Sequence, residues 1–195
     1  MHQRLEEYVA SLPVGLESYA ECVVKASVLR AALEAGGLRG PESGLPDQVQ
    51  RLLDAPPPVT EWIPEVLSVA AHLAIIDKNK LSDEAVLDWT YRTNRHLAQS
   101  RLYRAVASLA SPEMALRAAR LGWGMLHRGV ELSVQRGKGS AQLTVEHPQS
   151  AWTRLVHLAT ATGFRAVLES SRGKDVSVKL SDSHPDHATF DCTWS

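Results

Sequence analysis

The chain has 195 residues, 44% of them hydrophobic, so it is long enough to bury a sizeable core without disulfide or metal staples. Lysine and arginine total 21 against 22 aspartate and glutamate, a balance that leaves no net field for a polyanion and argues against nucleic acid as a partner. Two cysteines in unrelated contexts, no basic n-region at the N-terminus and no apolar run of ~20 residues predict a cytoplasmic protein without membrane insertion.

Helical periodicity dominates the first two-thirds. In "LESYAECVVKASVLRAALEAGG" the residues Tyr19, Val23, Ala26, Leu29 and Leu33 recur at three- and four-residue spacing, and Gly36 and Gly37 supply the stop; this predicts one core helix. Next comes a segment rich in proline and glycine, with a short helix expected between Pro46 and Asp54. Pro56 to Pro58 force an extended connection, and a third helix is expected from near Thr60 through Val66, Val69, Leu73 and Ile76. Ser82 caps a fourth, running to about Leu109, and Ser111 with Pro112 opens a fifth that ends at Gly129. Gly122 and Gly124 flank Trp123 inside it, at a cost of roughly 1 kcal/mol each against Ala, which a pocket wall or a close neighbour would explain.

After Gly129 the period becomes two. Val130, Leu132 and Val134, then Ala141, Leu143 and Val145, alternate with polar residues around the turn "RGKGS", which predicts an antiparallel hairpin with one buried face. A helix over "PQSAWTRLVHLATATGFRAVLESS" is expected to lie on that face through Trp152, Leu155, Leu158 or Ala159, and Thr162. Val176, Val178 and Leu180, then Phe190, Cys192 and Trp194, add two strands. The expected architecture is α+β: one domain over 1–195, with a helical part (1–128) packed on a four-stranded antiparallel sheet in a β-β-α-β-β unit (129–195).

Chemical motifs are sparse. There is no G-x-S-x-G, P-loop, H-E-x-x-H or G-x-G-x-x-G, so no catalytic residue is assigned. In "DSHPDHATFDCTWS", period two puts Cys192 with Phe190 on the core side as a small hydrophobe, leaving "DSHPDH" as a polar turn. The sequence assigns no metal; the alternative is a set made of His184, Asp186 and His187. Arg92, Arg95, His96, Arg101 and Arg104 read as a solvated basic face, and His127 and His157 as core-edge histidines rather than ligands. Trp62, Trp89, Trp123 and Trp152 are the candidate ligand-binding residues, because indole lines apolar pockets while offering one donor.

The segments "VVKASVLRAALEA", "VTEWIPEVLSVAAHLA", "MALRAARLGWGMLHRGVELSVQRGKGSAQLTV" and "ATFDCTW", in that order, resemble a family of about 200 residues of undetermined function found chiefly in myxobacteria. Phe190 and Trp194 in F-x-x-x-W also resemble the ending of 4-vinyl reductase domains, which share a layout with haem nitric-oxide-binding and TRAPP-like proteins. Ala188 stands where such domains often carry a cysteine, and the sequence lacks the Y-x-S-x-R motif by which haem nitric-oxide-binding domains hold propionates. The resemblance implies a non-enzymatic signalling module that binds a small apolar ligand between helices and sheet, without a cofactor, as a homodimer. Two other readings are a protein-interaction or dimerisation scaffold without ligand, and a metal-dependent enzyme built on His184, Asp186 and His187.

Overall fold

The computed structural model describes residues 2–36, 44–100 and 111–195. Along the chain come α1 (Gln3–Ser11), a 3-10 turn (Gly15–Glu17), β1 (Val23–Lys25), α2 (Ala26–Gly36), α3 (Asp47–Asp54), β2 (Trp62–Pro64), α4 (Glu65–Lys78) and α5 (Asp83–Gln99). Then follow α6 (Pro112–Leu126), β3 (His127–Arg128), β4 (Glu131–Gly137), β5 (Ser140–Glu146), α7 (Arg154–Ser170), β6 (Ser177–Ser183) and β7 (His187–Thr193). The fold is α+β, as the two periods in the sequence require.

The four-stranded sheet is antiparallel throughout, in the order β4-β5-β7-β6. Its register sets Leu143 opposite Phe190, and Phe190 opposite Leu180. Leu143, Val145, Ala188, Phe190 and Cys192 are all buried, so one face is core. Burial pushes the Cys192 thiol up to about 12, which keeps it a protonated, inert small hydrophobe. Trp194 falls just past β7, partly buried against the core, and donates Nε1–H to Glu113 at the start of α6.

Several helix boundaries differ from the sequence reading. The expected core helix from Tyr19 begins only at Ala26, because Val23–Lys25 forms the centre of a small sheet ordered β2-β1-β3. Tyr19 has φ +55° and donates its hydroxyl to Gln149 O. The third helix starts at Glu65 rather than near Thr60: Trp62–Pro64 pairs with β1, and Pro64 becomes the residue preceding the helix. Strands of three residues are too short to display a period of two. The fourth helix is followed to Gln99; its expected end near Leu109, like Gly37, Arg101 and Arg104, lies outside the described residues. Arg92, Arg95 and His96 are exposed, as a solvated face would be.

Trp152 precedes α7 rather than riding on it. Nor does Thr162 face the sheet: its hydroxyl bonds Thr90 and receives Asn94 Nδ2–H, both on α5. Helix α7 is packed between α5 and the sheet, so it is apolar on two sides and its periodicity does not say which side meets which layer. The sheet side is marked instead by His157, whose Nδ1 accepts from Ser183 on β6.

Gly129 makes the turn from the helical half into β4. Its φ is +75°, and a Cβ there would stand 2.6 Å from Cys22 Sγ and 3.0 Å from Cys22 Cα. Left-handed strain adds to overpacking, so Gly129→Ala should lower unfolding free energy by roughly 2–4 kcal/mol in urea melts.

Candidate functional site

Helix α4 begins with a buried acid. Glu65 is 4% exposed, and its backbone N–H bonds Cys22 O on the chain leading into β1. One carboxylate oxygen accepts from Trp152 Nε1 at 3.0 Å; the other accepts from His127 Nδ1 at 3.1 Å. The first turn of a helix favours an anion there, since its free N–H groups and dipole are positive. Both oxygens are thus engaged.

Around this acid the aromatic residues pack into one group. Trp123 stacks on His127 with centroids 4.3 Å apart, meets Trp152 edge-on and donates Nε1–H to Val130 O. Trp152 also packs against His147 and His157. His147 Nε2 and His157 Nε2 are 2.8 Å apart, His147 Nδ1 faces Pro148 O, and His157 Nδ1 faces Ser183 Oγ. One assignment satisfies all three bonds with neutral rings: Ser183 donates to His157 Nδ1, His157 Nε2–H donates to His147, and His147 Nδ1–H donates to the carbonyl. Burial holds His157 down to about 4, with the neighbouring His147 imidazole adding to the effect, and burial lowers His147 as well.

Above the group opens a cavity of about 290 Å³ between α2, α4, α5, α6, α7 and the inner face of β4 and β5. Its walls are largely aliphatic, with Leu116, Leu132, Leu143, Leu155 and Phe164 among them. Trp89, Trp123 and Trp152 line it; Trp62 does not. Trp62 instead lies between the Lys25 ammonium and the Arg128 guanidinium, 3.9 and 4.1 Å from its ring, on the small sheet. Gly122 belongs to the cavity wall, whereas no atom of the described residues lies within 4 Å of where a Cβ of Gly124 would stand.

The cavity's polar groups are few and unevenly partnered. Trp89 Nε1 and Thr93 Oγ1 are buried and, among the described residues, have no hydrogen-bond partner. His72 lies beside Trp89, with centroids 5.9 Å apart. Its Nδ1 is 2.7 Å from Ser68 O, so Nδ1 carries the hydrogen and Nε2 is left as an acceptor; burial lowers its pKa and keeps the ring neutral. A donor, a hydroxyl and an acceptor thus share one apolar chamber. The sequence reading found Trp89 but missed His72, Thr93 and Glu65. The available signal was a histidine and a glutamate on an otherwise apolar helical stretch, "EVLSVAAHLAII".

Asp182, His184 and His187 form a separate group at the β6–β7 turn, on the surface. No protein-family model matches the sequence, and no curated protein matches it. Solved structures do resemble it. An oxygen-binding H-NOX domain related to soluble guanylate cyclases, in its oxygen complex, superposes with TM-score 0.59 at 6% identity, covering 87% of this chain and 92% of that one. The Fe(II) unliganded H-NOX protein from K. algicida superposes with TM-score 0.55 at 10% identity, covering 88% and 96%. At such identities the likeness defines the fold alone: the chain has an H-NOX-like architecture.

Two outcomes follow from the buried acid and the histidine pair. Glu65→Ala leaves Trp152 Nε1 and His127 without their acceptor, and should cost roughly 3 kcal/mol in urea melts, with Glu65→Gln intermediate because an amide restores only one acceptor. On acidification the unfolded chain takes up a proton at His157 near pH 6.5, while the folded chain resists until about pH 4. The contribution of His157 to stability should therefore fall by about 2–3 kcal/mol across that window and be constant below it, and His157→Gln should remove this part of the slope.

Proposed function

We propose that this chain is a non-enzymatic ligand-binding module, whose chamber holds a compact, mainly apolar molecule bearing one hydrogen-bonding group. The carrying observation is that Trp89 Nε1 and Thr93 Oγ1 are buried and unpartnered on the wall of a 290 Å³ chamber, beside the free acceptor of His72. Buried polar groups without partners cost about 1–3 kcal/mol each, and a ligand that bonds them recovers that cost. An engineered apolar cavity of ~150 Å³ admits benzene, so this volume suits a single substituted ring or a short branched chain. The fold it shares with H-NOX domains supports a sensing role.

A further structure of this architecture concerns haem redox potential and porphyrin distortion, which makes haem the group to test, and the described residues do not fit it. His72 Nε2 has the right chemistry for an axial ligand. However, no lysine or arginine lines the chamber among the described residues, and its one carboxylate, Glu65, would repel two propionates. Tyr91, Thr93 and Arg95 repeat the spacing of Y-x-S-x-R with threonine for serine, yet only Thr93 lines the chamber. Tyr91 donates its hydroxyl to Glu169, and Arg95 lies near the Tyr91 ring.

Native mass spectrometry should show a mass excess that disappears on denaturation. Phenol, a ring with one hydroxyl, is the probe for the chamber: it should raise the melting temperature of the wild type, and Ala119→Phe, which fills the chamber from α6, should abolish that rise. Absence of both a bound mass and a phenol-dependent shift in the wild type would overturn the reading. Thr93→Val should stabilise the ligand-free protein by about 1 kcal/mol, because an unpaired hydroxyl is removed, while weakening phenol binding.

The interaction reading has one specific support. Met114, Leu121 and Met125 are exposed on α6 at helical spacing. Sedimentation of the wild type beside Leu121→Glu measures whether that stripe joins two copies, the homodimer that the sequence resemblance implies.

A further inference from the structure

We infer that the β6–β7 turn is a binding site for a borderline divalent transition-metal ion such as Zn²⁺, held by Asp182, His184 and His187, with Asp186 as the residue that positions His187. A backbone irregularity assembles it. Leu180 pairs with Phe190 on the core face, and strict alternation would place residue 182 on that same face; instead the register shifts between Leu180 and Asp182, and Asp182 pairs with Thr189. Ser181 is the extra residue of this bulge, and bulges re-aim side chains. Ser183 consequently points inward to His157, while Asp182 is half-exposed on the outer face near His187.

A tight turn then closes the group. His184 N–H bonds His187 O at 2.8 Å, so the two histidines face one another across Pro185 and Asp186. Their rings are parallel within 7° and 4.7 Å apart. His184 Nε2 stands 3.2 Å from Asp182 Oδ1 and His187 Nε2 stands 3.7 Å from Asp182 Oδ2; the three ligand atoms all lie within 4.8 Å of one another. Ligand atoms bound to zinc at ~2.0–2.2 Å are about 3.4 Å apart in a tetrahedron, so small rotations of exposed side chains close the remaining distance.

Asp186 makes this more than a chance gathering of polar side chains. Its Oδ1 is 2.8 Å from His187 Nδ1, which puts the ring hydrogen on Nδ1 and leaves Nε2, 3.7 Å from Asp182 Oδ2, with its lone pair free. A carboxylate behind a ligating imidazole is the arrangement that orients histidines in metal sites and raises their basicity. Two imidazole nitrogens and one carboxylate oxygen select zinc, nickel, cobalt or copper over calcium and magnesium, which require oxygen-rich shells. At least one coordination position stays open to water or to a donor from another molecule.

The test is calorimetric titration of the intact chain with Zn²⁺, and separately with Co²⁺, whose visible absorption reports its coordination. One equivalent should bind. His184→Ala, His187→Ala and Asp182→Asn should each weaken binding about tenfold or more, and Asp186→Asn by about tenfold with a changed cobalt spectrum, as expected when a ligand's orienting partner is lost. Mg²⁺ should give no heat. Circular dichroism identical to the wild type establishes that the variants fold. No Zn²⁺ binding by the wild type, or binding unchanged in the His184→Ala/His187→Ala double variant, would overturn the assignment.

Discussion

The carboxylate of Glu65 joins parts of the chain that share no neighbouring sequence. Its N–H holds the segment entering β1, one oxygen holds Trp152 at the entry to α7, and the other holds His127 at the exit of α6. A buried carboxylate is expensive unless its lone pairs are filled and a positive field surrounds it. Here the helix N-terminus supplies the field, and an indole and an imidazole supply the hydrogens. Because the acid is fixed by both halves of the molecule, the helical layer cannot shift over the sheet without breaking one of those bonds. The chamber above inherits its shape from that constraint.

The same bonds decide which groups face the chamber. Each Glu65 oxygen already accepts one hydrogen bond, and the wholly unpaired polarity falls to Trp89, Thr93 and the Nε2 of His72 on α4 and α5. This separates the chamber from one built for a dianionic macrocycle, which would require cations where this one has aliphatic walls. A shared fold with H-NOX domains therefore coexists with different pocket chemistry: the architecture fixes where a cavity forms, and the residues on its walls fix what it accepts.

Legibility in the sequence followed the length of each pattern. The hairpin from Val130 to Val145, the caps at Ser82 and Ser111 and the burial of Cys192 were readable because each rests on a local rule that tertiary packing did not override. The three-residue strands β1 and β2 were not, and reading Val23 as helical and Thr60 as a helix start was the result. Trp62 was grouped with the pocket tryptophans because residue type alone does not distinguish an indole over a cavity from one between two cations. Glu65 and Trp152 are 87 positions apart, a pairing no spacing rule anticipates.

The turn at the C-terminus shows the same limit at finer scale. The sequence offered His184, Asp186 and His187 as a set, whereas the structure groups Asp182 with the two histidines and puts Asp186 behind His187. The difference is one bulged residue, Ser181, because a shift of one position exchanges the faces of a strand. That shift has two effects at once. It sends Ser183 inward, where it completes the hydrogen bonds of the neutral histidine pair, and it sends Asp182 outward to the exposed histidines. The backbone of this turn is further tied to the segment before α7, through His147 N–H to Asp186 O and Ser150 N–H to Pro185 O. A cation held outside would therefore brace the strand whose inner side anchors His157, linking the surface turn to the aromatic group around Trp152 through bonds already present in the fold.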